Sequence, residues 1–375
     1  MLFHAPLQLA LALAKAAIGR CDPNPRVGCV IVAPGGAVLG SGSTQRAGAS
    51  HAEVEALADA ASRGASVRGA TACVSLEPCC HHGRTPPCCD TLIAAGVAHV
   101  VIAVQDPNPL VAGRGIALLR SAGVEVTVLA EDDPLAIASR ELNIGFFSRM
   151  TRRRPWVRMK IAASLDGRTA LENGASQWIT GPAARTDGHA FRKRASAVLT
   201  GIGTVQDDDP RLDVRLVPTE RQPLRVVVDS RLEIAPQARV LEPPGEVLIY
   251  TAKELIGAAA DKRAALNELG VAVHVCPGDG GKVDLAALLE DLAAREVNEL
   301  HIEAGHKLNG SFVRAGLVDE FLIYLAPRLL GAGREMARFG PLASLDDAVA
   351  LGFHSVERVG DDLRIIARPT GRADF

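Results

Sequence analysis

Three observations predict an α/β protein built as two successive domains. Short β-branched runs alternate with longer Ala- and Leu-rich segments along the chain, the pattern of strands interleaved with helices. The 375 residues exceed what one hydrophobic core usually organises. The alternation also breaks at a polar, basic stretch, Ser148-Arg149-Met150-Thr151-Arg152-Arg153-Arg154-Pro155, and then restarts. The first domain is therefore expected at 1–147, a linker at 148–155 and the second domain at 156–370.

In the first domain an amphipathic helix is expected near 6–19, with Leu7, Leu9, Leu11, Leu13 and Ile18 as its apolar residues. A strand at Val27–Val32 follows, then a turn at Pro34-Gly35-Gly36 and a short strand at Ala37–Gly42. A helix begins near His51 and runs through Ala60. Strands at Thr71–Ser75 and Val100–Val104 flank a helix from about Cys88 to Ala95, and one more βαβ-like pair reaches Leu129. After Pro155, strands are expected at Val157–Ala162, Ala197–Thr200, Leu224–Asp229, Val247–Thr251, Val271–Val275, Glu299–Glu303 and Phe321–Ala326. Helices fall between them near 182–194, 253–269, 284–295 and 306–315.

Composition narrows the function. Apolar residues make up 48% of the chain, ample for two cores, and the formal net charge is −2. A nucleic-acid or membrane surface would show a basic excess, so neither partner is expected. No apolar run approaches the length of a membrane span. The N-terminus lacks the basic start of a secretory signal and Lys15 interrupts it, so a soluble, cytoplasmic protein is expected. Seven of the eight cysteines (21, 29, 73, 79, 80, 88 and 89) crowd into the first quarter. That clustering reads as metal chemistry in a reducing compartment, with Cys21, Cys29 and Cys73 as core fillers.

The chemistry concentrates in His51-Ala52-Glu53 and in Glu77-Pro78-Cys79-Cys80-His81-His82-Gly83-Arg84-Thr85-Pro86-Pro87-Cys88-Cys89. One imidazole and two thiolates hold a zinc ion with one position left open, as a catalytic site needs. Cys79 and Cys88 are preferred over Cys80 and Cys89 because each directly follows a proline. Glu53, two residues past the ligand, leaves the helix in another direction and can take a proton from water and pass it to a leaving amine. A scaffolding zinc knot has no use for that carboxylate.

The order His-Ala-Glu, Pro-Cys and a later Cys resembles the zinc cytidine-deaminase superfamily. Together with Pro23-Asn24-Pro25-Arg26-Val27-Gly28 and the Gly-Arg-Thr-Pro-Pro insert, it is similar to the bacterial bifunctional deaminase–reductases of riboflavin biosynthesis. The resemblance implies a cytidine-deaminase-like three-layer domain that deaminates 2,5-diamino-6-ribosylamino-4(3H)-pyrimidinone 5′-phosphate. It places one zinc per chain on His51, Cys79 and Cys88, the proton shuttle on Glu53, and substrate contacts on Asn24, His81 and Arg84. Arg84 suits a ribose phosphate. Thr44 stands where the family often has a His.

The resemblance continues through Lys160-Ile161-Ala162-Ala163-Ser164-Leu165-Asp166-Gly167-Arg168-Thr169-Ala170 and Gly174-Ala175-Ser176-Gln177-Trp178-Ile179-Thr180-Gly181. These segments are similar to the start of the family's dihydrofolate-reductase-like α/β domain. By position it implies substrate contacts at Lys160, Ser176, Arg192, Leu212, Arg215 and Glu303. NADPH contacts fall at Ala162, Trp178, Thr204, Asp208 and Ser230, and on the loop Gly305, His306, Lys307, Leu308, Asn309, Gly310 and Ser311. A strand end, a glycine and a helix start offer free N–H groups to a pyrophosphate. The loop reads Glu303-Ala304-Gly305-His306-Lys307, where the family more often has Gly-Pro-Thr after the acidic residue.

The expected second reaction is hydride transfer from NADPH to C1′ of the ribosyl group, with Lys160, Asp208 or Glu303 assisting as acid. The family also suggests a homo-oligomer assembled through the reductase domain. Two rivals stand against this reading: a deaminase of another base carrying a degenerate nucleotide-binding half, and a non-catalytic zinc module. Arg231, just past a strand, is a hypothesised contact to the cofactor 2′-phosphate. Replacing it with Ala is expected to weaken the preference for NADPH over NADH; an unchanged preference would dismiss that contact.

Overall fold

The computed structural model describes residues 3–80, 86–242, 244–254 and 256–371. The chain divides into two compact units, with the break between Arg153 and Arg154.

The first unit runs α1 (His4–Ala16), β1 (Gly28–Val32), β2 (Val38–Ser43), α2 (Ala52–Ser62), β3 (Thr71–Val74), α3 (Cys88–Ala94), β4 (His99–Ile102), α4 (Arg114–Ser121), β5 (Glu125–Val128), α5 (Pro134–Leu142) and α6 (Ile144–Arg152). Among the described residues its strands form one sheet in the order β2-β1-β3-β4-β5. β1 is antiparallel to β2 and β3, while β3, β4 and β5 are parallel. Successive strand residues point to opposite faces, and here both faces are covered. Ala72, Val74, Val100 and Ile102 join the core under α2, α3 and α4, whereas Cys73 and Val101 meet Leu7 of α1 and Leu135 of α5. Helix, sheet and helix make the three expected layers.

Close approach shapes this unit. A Cβ on Gly40 would lie 2.2 Å from the Ala56 carbonyl oxygen, and one on Gly42 would lie 2.7 Å from that of Ala52. Two glycines on β2 therefore face Ala52, Ala56 and Ala60, one small residue per turn of α2, and the helix lies almost on the strand.

The stretch read as a linker differs from that expectation. Residues 144–152 are helix, and Arg153 ends it at φ 56°. Phe146 and Phe147, just ahead of the basic run, are buried in the first unit's core and anchor the helix. Its arginines dominate the composition of 148–155 and mask that apolar face.

The second unit contains β6 (Trp156–Ser164), β7 (Arg168–Leu171), α7 (Pro182–Arg194), β8 (Ala197–Gly201), α8 (Ile202–Asp208), β9 (Leu224–Val228), β10 (Val247–Thr251), α9 (Ala258–Glu268), β11 (Val271–Val275), α10 (Leu285–Ala294), β12 (Glu299–Ile302), α11 (His306–Arg314), β13 (Glu320–Ala326), β14 (Gly333–Glu335), β15 (Leu351–Val359) and β16 (Asp362–Pro369). Among the described residues nine strands form a sheet in the order β11-β10-β9-β8-β12-β6-β13-β16-β15, and β14 pairs with β7 apart from it. The strands are parallel up to β13, and the β15–β16 hairpin closes the sheet antiparallel. Alternation again splits the core: Leu199, Val226 and Leu248 face α10 and α11, while Val198, Val227 and Ile249 face α9. The expectation missed β7, β14, β15 and β16. No helix of the described residues is long and apolar enough to cross a membrane.

A chain of charges is buried across this sheet. Arg158 of β6 bonds Glu299 of β12 at 2.8 Å and also Glu320 of β13. Arg194 holds Glu299 at 2.7 Å, and Arg368 of β16 holds Glu320 at 2.8 Å. Burial alone would raise the Glu320 carboxyl, but Arg158 and Arg368 together hold it below its ordinary value. Removing the central cation leaves two buried carboxylates each with one fewer partner, Glu299 on Arg194 and Glu320 on Arg368. Arg158→Ala is therefore expected to cost the second unit about 3–5 kcal/mol. Both tryptophans, Trp156 and Trp178, lie in this unit, so their fluorescence during denaturant unfolding measures it. A loss below about 1 kcal/mol would mean that the network is not coupled to the fold.

Candidate active sites

His51 is the N-cap of α2, and Glu53 sits in that helix's first turn, 4% exposed. Cys79 follows β3, and Cys88 opens α3 after Pro87. The ligand atoms of His51, Cys79 and Cys88 lie within 4.8 Å of one another. Nδ1 of His51 is 3.6 Å from the Cys79 sulfur and 3.3 Å from that of Cys88. Tetrahedral zinc at ordinary bond lengths sets its nitrogen and sulfur ligands about 3.6 Å apart, so the donor set fits the ion.

The second cysteine of each pair turns away. Cys89 is fully buried, with its thiol on the carbonyls of Pro78 (3.3 Å) and Gly115 (3.7 Å), and Cys80 faces the Leu110 carbonyl at 3.9 Å. Cys21, Cys29 and Cys73 are buried in the core as expected, and burial pushes Cys73 up to about 12.

Electrostatics separate the roles. A hydrogen bond from Cys88 pulls Cys79 down to about 4 against the opposing effect of burial, and His51 adds to the fall. The Cys88 N–H, at the start of α3, also points at the Cys79 sulfur at 3.4 Å. A helix N-terminus favours a thiolate in this way. Burial pushes Glu53 up to about 7, and the Cys79 thiolate adds to the rise. A carboxyl poised there gains and loses a proton readily near neutral pH.

Around this centre, Glu77 is buried and accepts N–H bonds from Asp106 (3.2 Å), Gly113 (2.9 Å) and Ile116 (3.1 Å). It fixes the segment that Cys80 and Cys89 also touch. Sequence reasoning passed it over, although its place directly before Pro78-Cys79 was the available signal. Thr44 is buried, and its hydroxyl is spent on the backbone of Val27. Asn24 is half-buried in the turn before β1, its N–H on the Cys21 carbonyl. His81 and Arg84 lie outside the described residues.

In the second unit a cleft of about 1510 Å³ opens along the strand ends. Lys160 and Ala162 reach it from β6, and Ser176 and Trp178 from the loop before α7. Arg192 comes from α7, Thr204 and Asp208 from α8. Leu212, Arg215 and Ser230 line it from later loops. Glu303, Gly305, His306, Lys307, Leu308, Asn309 and Ser311 complete it at the start of α11. Gly310 does not line the cleft. A Cβ there would sit 1.9 Å from the Arg338 carbonyl oxygen, so the glycine serves a backbone contact.

The charge centre of the cleft is Glu303. Arg192 grips both its oxygens, at 2.5 and 2.9 Å, with Lys160 at 3.7 Å and the buried His301 at 3.3 Å. Burial would raise this carboxyl, yet Arg192 and then Lys160 hold it well below the usual range. Glu303 is thus an anion and an acceptor, a poor acid. Asp208 accepts the Ser176 hydroxyl at 3.0 Å. Arg231 is exposed on the wall and pairs with Glu233 at 2.9 Å. His189 and His301 were not anticipated: the first lies one turn before Arg192 on α7 and the second two residues before Glu303, and those charged residues drew attention instead.

Comparison with known proteins agrees with both halves. Residues 4–104 match the cytidine and deoxycytidylate deaminase zinc-binding region, and residues 155–365 match the RibD C-terminal domain. The chain is 43% identical to the riboflavin biosynthesis protein RibD of Escherichia coli, over 94% of this chain and 96% of that one. It is 40% identical to RibD of Aquifex aeolicus, over 96% of each. Among solved structures, RibD of Acinetobacter baumannii superposes with a TM-score of 0.85 at 38% identity, covering 97% of this chain and 98% of that one. A diaminohydroxyphosphoribosylaminopyrimidine deaminase/5-amino-6-(5-phosphoribosylamino)uracil reductase of Thermotoga maritima gives 0.85 at 32% identity, covering 98% and 99%. A zinc-fitting donor set beside a buried carboxyl in one unit, a charged cleft in the other, and matches that run through both mean that the chain belongs to the RibD family, the deaminase–reductases of riboflavin biosynthesis.

Proposed function

We propose that the chain catalyses two consecutive steps: deamination of 2,5-diamino-6-ribosylamino-4(3H)-pyrimidinone 5′-phosphate, then NADPH-dependent reduction of the ribosyl chain to give 5-amino-6-ribitylamino-uracil 5′-phosphate. The observation that carries the reading is the buried Glu53 beside the His51, Cys79 and Cys88 donor set.

In the first step water adds to the ring carbon bearing the amine, a C–O bond replaces the C–N bond, and ammonia leaves. His51, Cys79 and Cys88 would hold a zinc ion, which would supply Lewis acidity and lower the pKa of a water at the site to about 7. Glu53 takes the water proton and returns it to the departing nitrogen, a task suited to a carboxyl that titrates near neutrality. Asn24, His81 and Arg84 are the proposed substrate contacts.

In the second step a bound NADPH would supply the hydride for C1′, and the residues of the cleft must deliver a proton to the ring oxygen as the sugar opens. Glu303 is held ionised, which favours Lys160 or Asp208 as the proton source and Glu303 as an acceptor for sugar hydroxyls. Ser176, Leu212 and Arg215 complete the proposed substrate side. Ala162, Trp178, Thr204, Ser230, the residues Gly305 to Asn309 and Ser311 form the cofactor side, with the free N–H groups of α11 suited to a pyrophosphate. All eight cysteines are unpaired, in keeping with a reducing, cytoplasmic setting. The edge strand β15 presents Phe353 (76% exposed) and Val356 (53%), a surface suited to a second copy of the chain.

The decisive experiment is a coupled assay on one sample, reading ammonia release, NADPH oxidation and zinc content. Both activities are expected, with one zinc per chain. Glu53→Gln is expected to lower ammonia release about 10²–10⁴-fold with zinc retained. Full ammonia release from a zinc-loaded variant would remove Glu53 from the proton path. Phe353→Glu is expected to lower the assembly state in sedimentation; no change would put the oligomer contact elsewhere.

A further inference from the structure

His189 lies on α7 one turn before Arg192 and is 5% exposed at the cleft wall. Its Nδ1 accepts the Arg215 backbone N–H at 3.1 Å, so that nitrogen carries no proton. Burial, and then the nearby Arg192 and Arg215, push the ring down to about 4. A neutral imidazole whose Nδ1 is an acceptor has its single proton on Nε2. The nearest partner of Nε2 is Nη1 of Arg192 at 3.5 Å, and a guanidinium only donates. Among the described residues, the Nε2–H therefore meets no acceptor, an unusual state for so buried a donor.

The neighbouring cations explain what it awaits. Arg192 already directs three N–H groups to Glu303 and to the Asp213 carbonyl. Arg215 touches Asp213 at 2.5 Å, yet its side chain is 46% exposed and lines the same cleft. A free N–H with two arginines close enough to act on its ring favours an acceptor-only, negatively charged group.

We propose that His189 binds substrate in the second site, donating its Nε2–H to the substrate's phosphate alongside Arg215. The inference rests on the proposed reductase reading and adds to it a phosphate contact and a role in specificity.

Steady-state reduction by the full-length protein tests it, with the phosphorylated substrate and its dephosphorylated counterpart compared. His189→Asn keeps an acceptor for the Arg215 N–H but has no donor at the Nε2 position. It is expected to raise KM for the phosphorylated substrate about tenfold. KM for the dephosphorylated form, KM for NADPH and ammonia release should stay within about twofold. His189→Gln, which restores an N–H near that point, should recover most of the affinity. An unchanged KM, or an equal rise for both substrates, overturns the phosphate contact while leaving the functional reading intact. Wild-type protein that reduces neither substrate overturns the reading itself.

Discussion

The nearness of α2 to β2 is the constraint on which the first site depends. Gly40 and Gly42 remove the side chains that would hold the helix off, and Ala52, Ala56 and Ala60 present the matching small face. That contact fixes where the helix begins, and its first residues are His51 and Glu53, the proposed metal ligand and proton carrier. The carboxyl of Glu53 is thereby sealed from water, which is the principal reason for its raised pKa. Packing and protonation are one arrangement here.

The two sites use the same side chain in opposite ways. Glu53 is buried beside a thiolate and its charged form is disfavoured; Glu303 is buried beside Arg192 and Lys160 and its charged form is fixed. One carboxyl is built to exchange a proton, the other to stay ionised. The buried chain from Arg194 to Arg368 ties together the strands β12, β6, β13 and β16, and Glu303 directly follows β12.

Legibility in the sequence followed locality. His51 and Glu53 share a helix turn, and Cys79 and Cys88 bracket one short segment, so the donor set could be read from spacing and proline position. The second site draws Lys160, Arg192, Asp208 and Glu303 from four separated elements, and only the resemblance to a family brought them together. Most strands of the parallel sheet were visible as β-branched runs. The hairpin β15–β16 was not, because Phe353 and Val356 point outward and break the usual pattern of apolar inside and polar outside. The helix α6 hid for a related reason, its buried Phe146 and Phe147 lying just outside the basic window.

Cys79 and Cys88 are stapled to each other independently of what lies between them. The Cys89 N–H bonds the Cys79 carbonyl at 3.1 Å, and the Cys88 N–H meets the Cys79 sulfur. The intervening residues thus begin and end at a clasp whose geometry the rest of the unit already sets. Lengthening or rewriting that stretch changes loop-closure entropy only slowly with length. Changes within that stretch, where the proposed substrate contacts His81 and Arg84 fall, would therefore leave the proposed metal ligands in place.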